Sequence, residues 1–224
     1  MHVVIINGSP RIPQYSNTDK IVGAFERGLA NKGVTCERYA ISDRNSWKDI
    51  CRAYENNTQI IIALPLYVEC VPGLLLEFLD TLPRKEENTQ LSFILQGGFA
   101  EGCQYRCGEQ FLKKLPGYLG CSYGGCLVKG DNFSIRLLNK EQQEKATKPY
   151  ERMGEVFAIE HNFYGREARD FTGAEYYSLP ERIMVGMAFR TIVRRIFNRA
   201  AKSWGCMDKL DAKPYKVSGR NLIV

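Results

Sequence analysis

Residues 1–18, MHVVIINGSPRIPQYSNT, decide the fold of this chain. The strand pattern at residues 3–7 begins with four apolar residues, VVII, which is typical of a buried β-strand, and the polar stretch after it has the Gly, Pro, Ser and Asn content of a loop. A helical pattern begins at residue 17. A strand, a loop and a helix in this order indicate a βα unit. The loop is either an ordinary connection or a site that binds an anion.

Four more strands follow, with helices between them. The strand patterns lie at residues 3–7, 34–41, 59–66, 91–96 and 122–130. The helical patterns lie at residues 17–32, 46–56, 72–82 and 104–118. Several strands are apolar throughout, which indicates a parallel sheet covered by helices on both faces. Because crossovers between parallel strands are right-handed, we predict a doubly wound, three-layer α/β sandwich.

The strand signals stop after the fifth strand. Residues 139–158 have the pattern of an exposed helix, residues 161–180 that of an irregular segment, and residues 181–204 that of another helix. We therefore predict an α/β domain at residues 1–138 and a helical C-terminal extension at residues 139–224. The extension is expected to pack on the domain or on a dimer partner.

The composition fits one substantial domain. The chain has 224 residues, of which 44% are hydrophobic, and this is enough for one core and an extension. No basic signal segment precedes the first strand, and the longest apolar run, IIIALPLYV, is about half the length that crosses a bilayer. We expect a cytoplasmic protein. Its eight cysteines include no CxxC pair, so we expect reduced thiols.

No metal site is predicted. The two histidines lie far apart in the sequence, and no pair of carboxylates accompanies them at ligand spacing. Cys103 and Cys107 lie about one helical turn apart, and Cys121 and Cys126 straddle a predicted strand. These spacings do not favour an iron–sulfur cluster.

The first loop, NGSPRIPQYSNT, has the residues of an anion site. Gly8 permits a sharp turn. Ser16, Asn17 and Thr18 lie where the next helix exposes unpaired N–H groups and the positive end of its dipole. A phosphate there would also meet the guanidinium group of Arg11. The alternative, that Ser16 or Asn17 only caps the helix, stays open.

Two further loops leave the third and fourth strands. PLYVECVPG (65–73) is apolar and aromatic, which suggests a wall for a flat, apolar ligand, since surface connections are usually polar. The alternative is that Tyr67 and Val68 pack under the next helix. QGGFAEG (96–102) offers two glycines that permit close backbone approach, followed by an aromatic ring.

Together, the three loops resemble those of the NADPH-dependent FMN reductase family of flavodoxin-like proteins. The resemblance rests on NGSPR followed by SNT, on PLY before a Pro-opened helix, and on GG after the fourth strand; it covers roughly residues 1–130. It implies a flavodoxin-like five-stranded sheet in the order 2-1-3-4-5. It also implies FMN as the cofactor and NADPH or NADH as the co-substrate, and we expect a homodimer.

The resemblance also implies roles for residues. The first loop would hold the FMN phosphate through Ser9, Arg11, Ser16, Asn17 and Thr18. The second and third loops would flank the ribityl chain and the isoalloxazine ring through Pro65, Leu66, Tyr67, Val68, Gly97, Gly98 and Phe99. Hydride would pass from the nicotinamide to the flavin and then reduce a small acceptor such as a quinone, flavin, nitro or azo compound. No acid–base side chain is required, so no catalytic residue is assigned.

The extension carries most of the net charge. Of the overall +6, residues 148–224 contribute +5. In the helix at residues 183–204, apolar side chains occupy about 140° of a helical wheel and basic side chains occupy the opposite half. The apolar side can pack on the α/β domain or on a second subunit. A basic amphipathic helix can also contact an anionic membrane surface or a phosphorylated ligand such as NADPH.

Two alternatives to this enzyme stay open. One is a flavodoxin-like electron carrier without nicotinamide activity, although such carriers usually present an acidic face, which this basic chain lacks. The other is a flavin-regulated protein whose tail binds a membrane or a partner. Nucleic-acid binding is not predicted, because no motif supports it.

Overall fold

A computed structural model describes residues 1–85, 88–206 and 212. The chain divides into two compact units, Met1–Tyr176 and Tyr177–Val224. The sheet belongs to the first unit. The predicted domain boundary after residue 138 stays a prediction. The predicted extension reaches residue 224, but residues 207–211 and 213–224 lie outside the described part of the chain.

Five parallel strands form one sheet in the order β2-β1-β3-β4-β5. Their bounds are β1 His2–Asn7, β2 Thr35–Ala40, β3 Gln59–Pro65, β4 Gln90–Gln96 and β5 Ser122–Lys129. Successive side chains point to opposite faces. In β1, Val4 and Ile6 enter one core, whereas Val3 and Ile5 enter the other. The predicted parallel sheet and its strand order are confirmed.

Helices cover both faces of the sheet. In the first unit they are α1 Asn17–Asn31, α2 Trp47–Asn56, α3 Gly73–Leu79, α4 Arg106–Tyr118, α5 Lys140–Glu160 and α6 Arg166–Phe171. One core joins the sheet to α2, α3 and α4, and its largest members include Phe78 and Phe93. The other core joins the sheet to α1 and α5 and includes Phe25 and Phe157. The predicted three-layer sandwich is therefore confirmed.

Two expectations for the segment after β5 are wrong. The helix predicted at residues 139–158 as exposed is α5, and it buries Tyr150, Met153 and Phe157. These residues repeat at helical spacing and form an apolar stripe among charged neighbours. The segment at residues 161–180, predicted as irregular, contains α6. This helix has only six residues, too few for a hydrophobic period to appear in the sequence.

Helices α1 and α5 cross at two glycines. A Cβ atom added to Gly28 of α1 would overlap the backbone carbonyl of Glu151. One added to Gly154 of α5 would overlap the backbone carbonyl of Phe25. Because the overlapped atoms are backbone atoms, no side-chain rotation can make room for them. The two helices therefore pack at a distance that only glycine permits.

We predict that Gly28→Ala lowers the free energy of unfolding by about 2 kcal/mol, because the added methyl group forces two helix backbones apart. Gly117→Ala in α4 is the matched control. A Cβ atom at Gly117 has no neighbour within 4 Å, so this change should raise the free energy of unfolding by up to about 1 kcal/mol through helix propensity. Urea denaturation measures both variants. Equal stability of Gly28→Ala and the wild type would contradict the close crossing.

The second unit is helical from residue 179 to residue 203. It consists of α7 Leu179–Ala188, a π-helical segment Phe189–Val193 and α8 Arg194–Ser203. The Glu181 carboxylate accepts a hydrogen bond from the Ser178 N–H at 2.7 Å and caps the start of α7. The helix predicted at residues 181–204 is confirmed, except for its π-helical middle. No described helix is long and apolar enough to cross a membrane.

Candidate functional site

A cleft of about 280 Å³ lies at the edge of the sheet where β1, β3, β4 and β5 end. Its lining residues are Ser9, Arg11, Tyr15, Asn17, Thr18, Pro65, Leu66, Tyr67, Gln96, Gly97, Gly98, Asn132, Phe133 and Arg136. Nine of the twelve site residues predicted from the sequence are among them. The three predicted residues that do not line the cleft are Ser16, Val68 and Phe99.

The first loop is shaped by side chains that bind its own backbone. The Asn7 side-chain carbonyl accepts a hydrogen bond from the Ser9 N–H at 3.0 Å, and the Ser9 hydroxyl accepts one from the Arg11 N–H at 3.3 Å. These two local turns curl the chain toward α1. The buried Ser16 hydroxyl accepts a hydrogen bond from the Asp19 N–H at 3.2 Å. Ser16 is therefore the N-cap of α1, as the capping alternative predicted.

The first turn of α1 leaves hydrogen-bonding groups without partners at the cleft. The backbone N–H groups of Asn17 and Thr18 bond to no other described residue. The buried Asn17 Oδ1 also lacks a partner in the described part of the chain, although Nδ2 of the same side chain donates to the Asn132 carbonyl at 2.7 Å. The Thr18 hydroxyl accepts a hydrogen bond from Gln96 at 3.0 Å. Free donors at the positive end of a helix dipole form an anion site.

The second loop contains a strained turn. Tyr67 and Cys70 exchange two backbone hydrogen bonds, at 2.9 and 3.1 Å, across a two-residue turn. Both residues of the turn have positive φ, 48° for Val68 and 66° for Glu69, which favours Gly or Asn and disfavours a β-branched residue. The Val68 side chain is 79% exposed, so it does not pack under the next helix. Pro65, Leu66 and Tyr67 form one wall of the cleft.

The third loop is held by its backbone carbonyls. The Phe99 carbonyl accepts hydrogen bonds from the Tyr105 hydroxyl at 2.6 Å and from the Asp131 N–H at 2.9 Å. Burial raises the pKa of Tyr105, so this phenol stays protonated and donates. A Cβ atom on Gly97 would lie 2.8 Å from the Tyr105 ring, which is too close, so a larger residue does not fit at this position without displacing the ring. The N–H groups of Gly98 and Phe99 bond to no other described residue.

A fourth loop, not predicted from the sequence, completes the cleft. Asn132, Phe133 and Arg136 follow β5 and line the cleft. Asn132 donates from its backbone N–H to the Gly97 carbonyl at 3.0 Å and from Nδ2 to the buried Tyr150 hydroxyl at 2.8 Å. Tyr15 and Gln96 are also lining residues that were not predicted. DNFSIR directly follows a predicted strand, and this position at the carboxyl edge could have indicated the fourth loop.

The charge inside the cleft is positive. Arg11 and Arg136 are its only charged lining residues among those that the structure describes, and no carboxylate lines it. Neither arginine makes an ion pair with a described residue. Two guanidinium groups without counterions, next to a helix N-terminus, favour an anionic ligand.

Comparisons with known proteins support the fold. No protein-family model and no curated protein sequence matches the chain. An FMN-dependent NADH-azoreductase from Bacillus anthracis, in complex with FMN, is 14% identical, with 70% of this chain and 100% of that chain aligned and a TM-score of 0.52. An NAD(P)H:quinone oxidoreductase from Methanothermobacter marburgensis is 13% identical, with 72% of this chain and 99% of that chain aligned and a TM-score of 0.54. At such identities the similarity shows the fold alone, and it confirms the predicted flavodoxin-like fold.

We predict that Val68→Asn raises the free energy of unfolding by about 1 kcal/mol, because asparagine tolerates the left-handed conformation that costs a β-branched residue about that much. Val68→Thr is the matched control, since it adds a polar group but keeps the branched Cβ atom. Thermal denaturation with van't Hoff or calorimetric enthalpies compares the two. A gain for Val68→Thr as large as that for Val68→Asn would show that polarity, and not backbone strain, is responsible.

Proposed function

We propose that this protein is an FMN-dependent NAD(P)H oxidoreductase of the FMN reductase type. The observation that carries the proposal is that the NGSPR and SNT, PLY and GG motifs converge on one positively charged cleft at the carboxyl edge of the sheet. Ligands of open α/β sheets bind at this edge. The fold is also found in an azoreductase structure in complex with FMN, which supports the proposal at the level of the fold.

The cleft has the donors that the phosphate of FMN requires. A phosphate group is a hydrogen-bond acceptor with negative charge, and it binds best to charged donors and to helix N-termini. Here Asn17 and Thr18, whose N–H groups are unpaired, line the same cleft as Arg11 and Arg136. These residues would therefore hold the phosphate.

The other end of the cleft would hold the ring. FMN, when bound, supplies a ring that accepts hydride and passes electrons on. The chain would orient this ring: Pro65, Leu66 and Tyr67 offer an apolar wall, and the unpaired N–H group of Gly98 offers a donor to its polar edge. Because hydride transfer between nicotinamide and flavin needs no side-chain acid or base, we assign no catalytic residue.

The cleft continues outward, which leaves room for the substrates. A shallow depression beside it is lined by Arg11, Ile12, Tyr15 and Arg136. Ile12 and Tyr15 are exposed apolar side chains, and beside the two arginines they offer a surface for the adenosine phosphate part of NADH or NADPH. We therefore propose that the nicotinamide and then a quinone, flavin, nitro or azo acceptor bind in turn on the open side of the ring, at the other end of the cleft.

Steady-state kinetics tests the proposed function. The protein is loaded with FMN, separated from excess cofactor and assayed for oxidation of NADH and NADPH with menadione or an azo dye as acceptor. FMN-dependent turnover is expected. Retention of FMN without oxidation of either nicotinamide would instead favour the flavodoxin-like electron carrier. Failure to bind FMN at all would contradict the site itself.

We predict that Arg11→Gln and Arg136→Gln each weaken FMN binding about 10-fold to 100-fold, because a charge-assisted hydrogen bond contributes about 1.5–3 kcal/mol. Arg52→Gln is the control, since this arginine is exposed on α2 and pairs with Asp49 outside the cleft. Quenching of FMN fluorescence measures the three dissociation constants. If Arg11→Gln binds FMN as tightly as Arg52→Gln does, Arg11 does not contact the phosphate.

A further inference from the structure

The second unit has an apolar stripe that its helices do not bury. Apolar residues recur at every fourth position from Met184 to Trp204: Met184, Ala188, Ile192, Ile196, Ala200 and Trp204. We call these six residues the apolar stripe. Its four large side chains are between 58% and 81% exposed. Isolated exposed apolar residues are normal, but a continuous row of them marks an interaction surface.

The π-helical segment keeps the apolar stripe on one side of the helix. A residue repeat of four drifts by about 40° per step around an α-helix, so the stripe would spiral over its length. Each π-type turn takes about one extra residue, which turns the following helix back by roughly 90°. The Thr191 hydroxyl donates to the Met187 carbonyl at 2.8 Å and supports the widened turn. The stripe therefore runs nearly straight from α7 into α8.

The opposite side of the same helix is basic. No Asp or Glu occurs from residue 182 to residue 206, a stretch that carries six cations: Arg182, Arg190, Arg194, Arg195, Arg199 and Lys202. On the wheel with the π segment included, these side chains fall within roughly half the circumference, away from the apolar stripe. An apolar stripe flanked by arginines, with tryptophan at its end, is the composition of a helix that lies in a membrane interface.

We propose that the helical segment Leu179–Ser203 binds the surface of an anionic phospholipid membrane, with the apolar stripe in the interface and the arginines at the headgroups. The segment lies on the membrane, since no described helix can cross one. Electrostatic complementarity selects this occupant: the six cations of the acid-free stretch at residues 182–206 attract anionic headgroups, whereas the same stretch of a second copy offers no acidic residue to pair with them. The inference does not depend on the flavin site.

Vesicle co-flotation of the full chain tests this surface. The wild-type protein is mixed with vesicles of phosphatidylcholine alone or of phosphatidylcholine with phosphatidylglycerol. Binding to the mixed vesicles that weakens with added salt, and much weaker binding to phosphatidylcholine alone, is expected. Equal binding to both vesicle types, or to neither, would overturn the proposal.

Paired variants separate the basic side from net charge. Combining Arg195→Gln, Arg199→Gln and Lys202→Gln should weaken partition into mixed vesicles roughly 100-fold, since each cation near an anionic surface contributes about fivefold. The control combines Lys113→Gln, Lys114→Gln and Lys145→Gln, which removes the same charge from exposed positions of the first unit. A matching loss in the control would overturn the proposal, because the effect would then come from net charge.

A second pair tests the apolar stripe. Combining Ile192→Gln and Ile196→Gln should weaken partition about tenfold or more, because two buried side chains are lost from the interface. The control, Leu137→Gln with Ile159→Gln, removes exposed apolar side chains from the first unit and should bind as the wild type does. Circular dichroism checks that all variants keep their helices. If the stripe variant floats like the wild type but changes from dimer to monomer in light scattering, the stripe is a subunit interface and the proposal is overturned.

Discussion

The cleft depends on the way its loops leave the sheet. The first residue after each of three strands still donates a backbone hydrogen bond to the neighbouring strand: Gly8 to β3, Leu66 to β4 and Gly97 to β5, at 2.7, 2.7 and 3.3 Å. The strands therefore end level, and four loops begin side by side at one edge. This register places the start of each loop, and residues of the loops and of the first turn of α1 line the cleft.

A second layer of contacts joins the loops to one another. Gln96 at the end of β4 holds Thr18 of α1, and Asn17 holds the backbone of Asn132 after β5. Asn132 in turn bonds to Tyr150 of α5. The glycine crossing of α1 and α5 thus sets the position of both the helix N-terminus that faces the cleft and the tyrosine that supports the fourth loop. The close packing of α1 on α5 therefore helps to determine where the N–H donors of the cleft lie.

The sheet and the meeting of three loops could be predicted, because apolar runs and right-handed crossovers determine both. Ser16 shows a limit: a serine before a helix can cap it or bind a ligand, and only the three-dimensional contact with Asp19 distinguishes these roles. Val68 shows a second limit. It has positive φ, but a β-branched residue disfavours this conformation, so the sequence gives no sign of the left-handed turn. Arg136 was not predicted because it belongs to no recognisable motif. Only the position of its loop, directly after the fifth strand, could have indicated it.

The central claim is that the N-terminus of α1, with Arg11 and Arg136, binds the phosphate of FMN. Isothermal titration of the same protein with FMN and with riboflavin, which lacks the phosphate, tests it most directly. We expect FMN to bind at least about 100-fold more tightly, since at least two charge-assisted hydrogen bonds of about 1.5–3 kcal/mol each are lost with riboflavin. Equal affinities for the two flavins would contradict the account.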